Sequence, residues 1–249
     1  MTGSLAPLPD VLEHITLEQL NEQAELLTRT DRKYIVDDGL LDRLLSSNGN
    51  RLAMLDIAGR REFAYESVYF DTTDLRLYRD AATSRRSRFK VRIRVYCDTE
   101  VAVLEVKAKD GRGRTTKSRL EYDTDDRERL TVAGRRFIDE LAGVPGISAT
   151  LRPSLTTRYQ RSTLVDLVPG SRYTVDRGLV CTEPCGTSVG LDEVIIETKS
   201  DGSASVLDRW LWQHGIRPVR ISKYCTALAA MRPELPANKW HRTLSRHFR

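Results

Sequence analysis

Between residues 88 and 96 the chain reads RFKVRIRVY, a cation and an apolar residue in near-strict alternation. Successive side chains of a β-strand leave opposite faces of the pleat. Arg88, Lys90, Arg92 and Arg94 therefore share one face, and Phe89, Val91, Ile93 and Val95 the other. Similar alternation predicts strands at ESVYFDT, VAVLEVKAK, TKSRLEYD, TTRYQRSTLV, SRYTVDRGLV and EVIIETKS. Turn chemistry lies between them at VPGS and PCGTS,. Helical spacing predicts helices over 11–27, over 38–46 behind Asp37, around 125–142, and in SVLDRWLWQHG,.

The strand faces can be set against one another. A turn at Thr99-Glu100 would place Arg94 opposite Glu105 and Arg92 opposite Lys107. The odd loop Asp110–Arg114 would place Lys107 opposite Lys117 and Glu105 opposite Arg119. Three consecutive strands then share one charged and one apolar face, because a one-residue slip would flip every side chain. Arg172, Thr174 and Asp176 repeat the pattern later, as do Glu197 and Lys199.

Like charges this dense imply something negative opposite them. A solvated sheet face is the plainer reading, but such faces mix in Ser, Thr and Gln and pair opposite charges across strands. The repeated pattern instead predicts an α+β fold whose antiparallel sheet closes into a β-barrel, with helices outside and a polyanion within. Glu105, Glu121 and Glu197 lie among the cations, where carboxylate and phosphate oxygens together suit a hard divalent cation. Cations for a phosphate chain and carboxylates for a bridging metal are the ingredients of phosphoryl transfer. The loop Asp110–Arg114 is not a P-loop, which requires a contiguous Gly-Lys-Ser/Thr.

Charge supports an anionic partner. The 249 residues carry a formal net charge of +5, and 8 of the 40 cations are lysine. The arginine excess suits bidentate contacts to phosphate. Aromatic residues are nearly missing from the charged faces, which disfavours nucleic acid. Hydrophobic content of 40% provides for a core,. No apolar run is long enough to span a bilayer and no signal peptide opens the chain, so a cytoplasmic location is expected. Cys97, Cys181, Cys185 and Cys225 read as reduced structural cysteines, since Cys181 and Cys185 lack a second ligand pair,.

An ordered set of motifs extends this reading: RTDRKYIV at 29–36, SVYFDTTDLRLY at 67–78, KVRIRVY at 90–96 and LEVK at 104–107. KSRLEY at 117–122, YQR at 159–161, RYTVD at 172–176, IIETK at 195–199 and ISKY at 221–224 follow. Together they resemble the vacuolar transporter chaperone (VTC) domain, the polyphosphate-polymerase branch of the triphosphate tunnel metalloenzymes. The resemblance implies a tunnel domain over 28–231, preceded by a helical segment at 1–27 and followed by a peripheral basic tail at 232–249.

It further implies transfer of the terminal phosphate of ATP to inorganic polyphosphate, with Mn²⁺ or Mg²⁺ as cofactor. Lys33, Arg92, Arg94, Lys107, Lys117, Arg161 and Arg172 match the family's phosphate lining. Arg119 and Lys199 share their strand faces, and Arg220 stands where a second basic residue is expected. Lys223 matches a late lysine needed for activity and joins Arg92 and Arg94 as a catalytic candidate. Glu197 matches the metal ligand, with Glu105 as a second candidate. Thr30-Asp31-Arg32-Lys33 departs from the wider superfamily's Glu-x-Glu-x-Lys. The chain resembles a stand-alone catalytic domain, and whether a membrane protein is a further partner stays open. Hydrolysis of tripolyphosphate or a nucleoside triphosphate, or polyphosphate binding without catalysis, are the alternatives. Ion pairing would otherwise account for Glu197, and helix initiation for Lys223.

Overall fold

A computed structural model of the chain describes residues 12–22, 30–168 and 171–248. β1 (Glu13–Ile15) and α1 (Leu17–Glu22) come first, then β2 (Thr30–Val36), α2 (Asp38–Asn48), β3 (Leu52–Leu55) and β4 (Phe63–Asp71). After α3 (Arg76–Ala82) come β5 (Arg88–Tyr96), β6 (Val101–Lys109), β7 (Thr115–Tyr122) and α4 (Val132–Ala142). β8 (Arg152–Asp166), β9 (Ser171–Thr182), β10 (Ser188–Leu191) and β11 (Val194–Ser200) follow. The last helices are α5 (Val206–Gln213), α6 (Lys223–Met231) and α7 (His241–His247).

The chain divides into two compact units, and it passes from one to the other inside β8 and inside β9. The first unit holds residues 1–63, 159–179 and 191–220. Its strands run β1, β3, β8, β9, β11, β2; the β3–β8, β9–β11 and β11–β2 pairs are antiparallel and the β1–β3 pair is parallel. Leu40, Leu41, Leu44 and Leu45 recur at helical spacing and bury one stripe of α2 against Tyr34, Val36, Val175 and Ile196,. Asp37 starts that helix by accepting the Leu40 amide at 2.7 Å,. Ser205 and Asp208 cap α5 reciprocally,. Buried Asp208 also accepts the Tyr34 and Thr198 hydroxyls, both at 2.7 Å, and so fastens α5 to β2 and β11.

The second unit holds residues 64–158, 180–190 and 221–249. Here β8, β4, β5, β6 and β7 lie side by side. The apolar faces of β5 and β6 pack with Ile138 of α4 and with Leu130 and Leu151. Thr131 caps α4 by accepting the Gly134 amide, and Gly143 ends it with φ 64°,.

The α+β class and the large antiparallel sheet are as expected. Closure into a barrel is not made by hydrogen bonds among the described residues: the strand order is an open path ending at β2 and β7. The helix expected over 11–27 is instead β1 followed by α1, because Glu13–Ile15 pairs with Ala53–Leu55 and Thr16 caps the helix behind it; residues 23–27 lie outside the described residues. The helix expected around 125–142 begins at Val132, after a single 3₁₀ turn at Thr124–Asp126.

The β5–β6 register differs by two residues from the expected one. Tyr96 pairs with Val101, so the turn spans Cys97–Glu100 and Arg92, not Arg94, faces Glu105. Asp98 leaves the ladder to accept the Ala64 amide at 2.6 Å. Both turns are even, so the charged face survives the shift. The tail is not peripheral either. Leu235 and Trp240 are buried, the Pro236 carbonyl accepts from Tyr78, and Lys239 donates to the Ala81 carbonyl at 2.9 Å.

Candidate functional site

In the first unit the site begins with strand parity. Lys33 on β2 lies opposite Glu197 on β11, and Lys199 lies opposite both Asp31 and Arg172. The alternate residues of β2 and β11, Tyr34, Ile196 and Thr198, face the core and Asp208, which fixes the charged set on the other side. Arg161 on β8 grips Asp176 on β9 with two nitrogens at 2.6 and 2.7 Å. Its guanidinium also stands 5.3 Å from the Tyr159 ring centre,.

Burial alone would raise the Glu197 carboxyl, but Lys33, Lys199 and Arg161 outweigh it and draw its pKa down to about 2,. Burial, with Arg161 and Arg172 nearby, lowers the Lys199 ammonium against the pull of Glu197. The Val219 amide donates to the Lys33 carbonyl at 2.7 Å, which holds the segment before exposed Arg220 beside β2.

In the second unit Glu105 is the hub. It is 2% exposed and receives Arg92 at 2.6 Å, Arg119 at 3.1 Å, and the Lys117 ammonium. Arg92, Arg94 and Lys117 overcome the burial of Glu105 and hold its carboxyl well below the usual carboxylate range. Burial, reinforced by Arg92 and Arg94, presses the Lys117 ammonium down to about 7 despite Glu105. Lys107 faces Lys117 across the β6–β7 ladder as expected; across β5–β6 it faces Lys90, and it is exposed. These pairs are the like-charge crowding that an anion would relieve.

Aromatic rings are more frequent on this face than the alternation suggested, and they serve the arginines. Arg92 donates to the Tyr69 hydroxyl at 3.0 Å, and Arg94 lies 5.4 Å from the Tyr65 ring centre. Tyr69 stacks on Tyr224 at 4.9 Å, and the Tyr224 hydroxyl donates to Asp71 at 2.5 Å. Asp71 in turn accepts the Leu77 and Tyr78 amides at the start of α3. Lys223 is the first residue of α6, directly before Tyr224, and Ser222 caps that helix while accepting from Lys90 at 3.1 Å.

Five of the expected residues thus share one face in the first unit: Lys33, Arg161, Arg172, Glu197 and Lys199. Arg92, Arg94, Glu105, Lys107, Lys117 and Arg119 share one face in the second, and Lys223 stands beside the Tyr224–Tyr69 stack that supports Arg92. Asp71, Tyr69 and Tyr224 were not among the expected site residues. Only the quoted motifs SVYFDTTDLRLY and ISKY mark them, without saying that they meet.

A divalent cation can be tested against these carboxylates. The ion-pair neighbour recorded for Glu197 is Lys199 at 3.7 Å, which leaves carboxylate lone pairs for a metal. No cluster of three His, Cys, Asp or Glu suited to a metal occurs among the described residues. A Mg²⁺-like ion held by one carboxylate, with phosphate oxygens and water completing its shell, fits that chemistry. Glu105 fits poorly, since both its oxygens are taken by cations. Cys181 is buried and its thiol is pushed up to about 12, in keeping with a structural cysteine.

The VTC domain family matches residues 28–232, and the chain belongs to that family. No curated protein matches it. Solved structures similar to it include a putative adenylyl cyclase, HpAC1 from Hippeastrum, described as having a dominant triphosphatase activity. That structure is 15% identical with a TM-score of 0.49, over 84% of this chain and 98% of the other. The PH1819 protein of Pyrococcus horikoshii is 13% identical with a TM-score of 0.44, over 78% and 91% of the two chains. A conserved hypothetical protein of Pyrococcus furiosus is 12% identical with a TM-score of 0.42, over 80% and 99%. No described helix is long and apolar enough to cross a membrane.

Proposed function

We propose that this chain is a metal-dependent polyphosphate polymerase that transfers the terminal phosphate of ATP to a growing polyphosphate chain. The observation carrying the proposal is the pair of sheet faces, each with several cations around a carboxylate, buried Glu105 in one and half-buried Glu197 in the other, in a chain of the VTC domain family. Phosphoryl transfer asks a protein mainly for positioning and charge neutralisation, which arginine-rich faces supply.

Lys33, Arg161, Arg172, Lys199 and Arg220 hold phosphate oxygens in the first unit; Lys107, Lys117 and Arg119 do so in the second. Arg92, Arg94 and Lys223 are assigned to the transferred group. An oxygen of the acceptor's terminal phosphate attacks the γ-phosphorus, the bond to the β-phosphate oxygen breaks, and ADP leaves. No protein nucleophile is required. Glu197 would hold Mn²⁺ or Mg²⁺, which when bound neutralises charge on phosphate oxygens. Tyr69 and Tyr65 keep the Arg92 and Arg94 guanidiniums in place.

Purified protein incubated with ATP and Mn²⁺ should convert it to long polyphosphate resolved on a gel. Orthophosphate alone would assign the chain to hydrolysis, and no ATP consumption would leave a binding module; either result rejects the polymerase. Glu197→Gln keeps shape and removes charge, so turnover should fall by about 10²–10³ while tripolyphosphate still binds. Near-normal turnover would reject Glu197 as the metal ligand.

A further inference from the structure

Where the charged face of β5 begins at Arg88, the second unit carries a cleft of about 500 Å³ lined by Arg76, Arg79, Arg85 and Arg88 with Asp74 and Asp80. Its size falls in the range of small-ligand sites. Phe89, Ala142 and Val144 supply its apolar part. None of the residues assigned above to phosphate or metal lines it.

The four arginines are only partly neutralised, since two carboxylates stand among them, Asp80 paired with Arg85 and Asp74 in the field of Arg79 and Arg76. Arg76 and Arg79 are one turn apart on α3 and so project from the same side,. Arg79 donates its Nε to the Asp74 carbonyl at 2.9 Å, and Arg88 donates to the Arg85 carbonyl. A main-chain carbonyl orients a guanidinium but leaves its charge and its other N–H groups available. Of the four, Arg85 has a carboxylate partner, Asp80 at 3.1 Å. Arg76 makes no ion pair among the described residues, and the Asp74 carboxylate accepts the Thr72 hydroxyl at 2.6 Å. The cleft therefore keeps an excess of planar donors whose fork matches phosphate oxygens.

We propose that this cleft is a second binding site, selective for a run of consecutive phosphoryl groups: inorganic polyphosphate or the triphosphate of a nucleotide. The proposal does not rest on the polymerase reading, because Arg76, Arg79 and Arg85 belong to neither charged face and only Arg88 continues one of them, at the first residue of β5.

Phenylglyoxal labelling of arginines in the full chain, read peptide by peptide by mass spectrometry, tests it. With tripolyphosphate at about ten times its Kd, labelling of Arg76 and Arg79 should slow about ten-fold. A parallel arm with ATP identifies the source, the stronger protector being the natural class. Unchanged labelling with both ligands overturns the proposal, as does protection by single-stranded RNA alone. Arg92 and Arg161 are read in the same digest, so failure at the cleft is distinct from failure at the charged faces. Calorimetry gives the second readout: R76A/R79A should lose one class of tripolyphosphate sites and retain the other. Unaltered stoichiometry in that variant also overturns the proposal.

Discussion

Glu105 shows how a single carboxylate can hold a cationic surface together. Removing its charge leaves Arg92, Lys117 and Arg119 without their common partner. Breaking a buried pair costs about 3–5 kcal/mol, but these cations are partly exposed, so about 1–3 kcal/mol is expected for Glu105→Gln. The depressed carboxyl sets the pH dependence. Its contribution is complete above the unfolded value of 4.5 and is lost as pH falls through the lower folded value,. Urea unfolding should show the gap between wild type and variant at its widest near neutrality and narrowing once the pH falls below 4.5,. A gap that widens on acidification would contradict this role. The charged residues were legible because parity alone assigns faces. Asp71, Tyr69 and Tyr224 were not, because their contact joins β4 to α6, and no local pattern encodes a meeting of segments so far apart.

Among the elements, the C-terminal segment departs most from its sequence. Its prolines and basic residues suggest a loose end, yet Trp240 packs near Tyr78 at 5.8 Å between ring centres. Ending the chain after Pro233 removes buried Leu235 and Trp240. Loss of a large buried side chain costs about 3–5 kcal/mol, and a comparable fall is expected here. An unchanged urea midpoint in the truncated protein would show the segment to be dispensable. The β5–β6 turn teaches a related point. Hydrophobic alternation specifies which face a residue takes but is blind to shifts of two. The partner of Asp98, the Ala64 amide of β4, comes from outside the hairpin that the bond registers. The β6–β7 register followed from sequence because its five-residue loop, Asp110–Arg114, closes on itself, with Asp110 accepting the Arg112 and Arg114 amides.

For the whole molecule, a net charge of +5 understates the local crowding, because the cations gather on two sheet faces and in one cleft. A bound polyanion should raise Tm both by mass action and by relieving repulsion, adding about 2.7 kcal/mol at a hundred times Kd. Raising ionic strength should weaken the gain through screening. Differential scanning fluorimetry with tripolyphosphate, at low and high salt, checks both; no shift at millimolar ligand would count against an anion surface. The interleaved course of the chain has another consequence, for synthesis. β2 pairs with β11, so Thr30–Val36 waits until Ser200 has left the ribosome before gaining that neighbour. β5, β6 and β7 need only adjacent segments. Local pairings form sooner than distant ones, since loop closure must come first. Pulse-labelled hydrogen exchange during refolding should therefore protect β5–β7 amides before those of β2, and the reverse order would refute it. Until then the nascent chain carries an unmatched β2 edge, which makes the interval before β11 emerges the period of greatest exposure to aggregation.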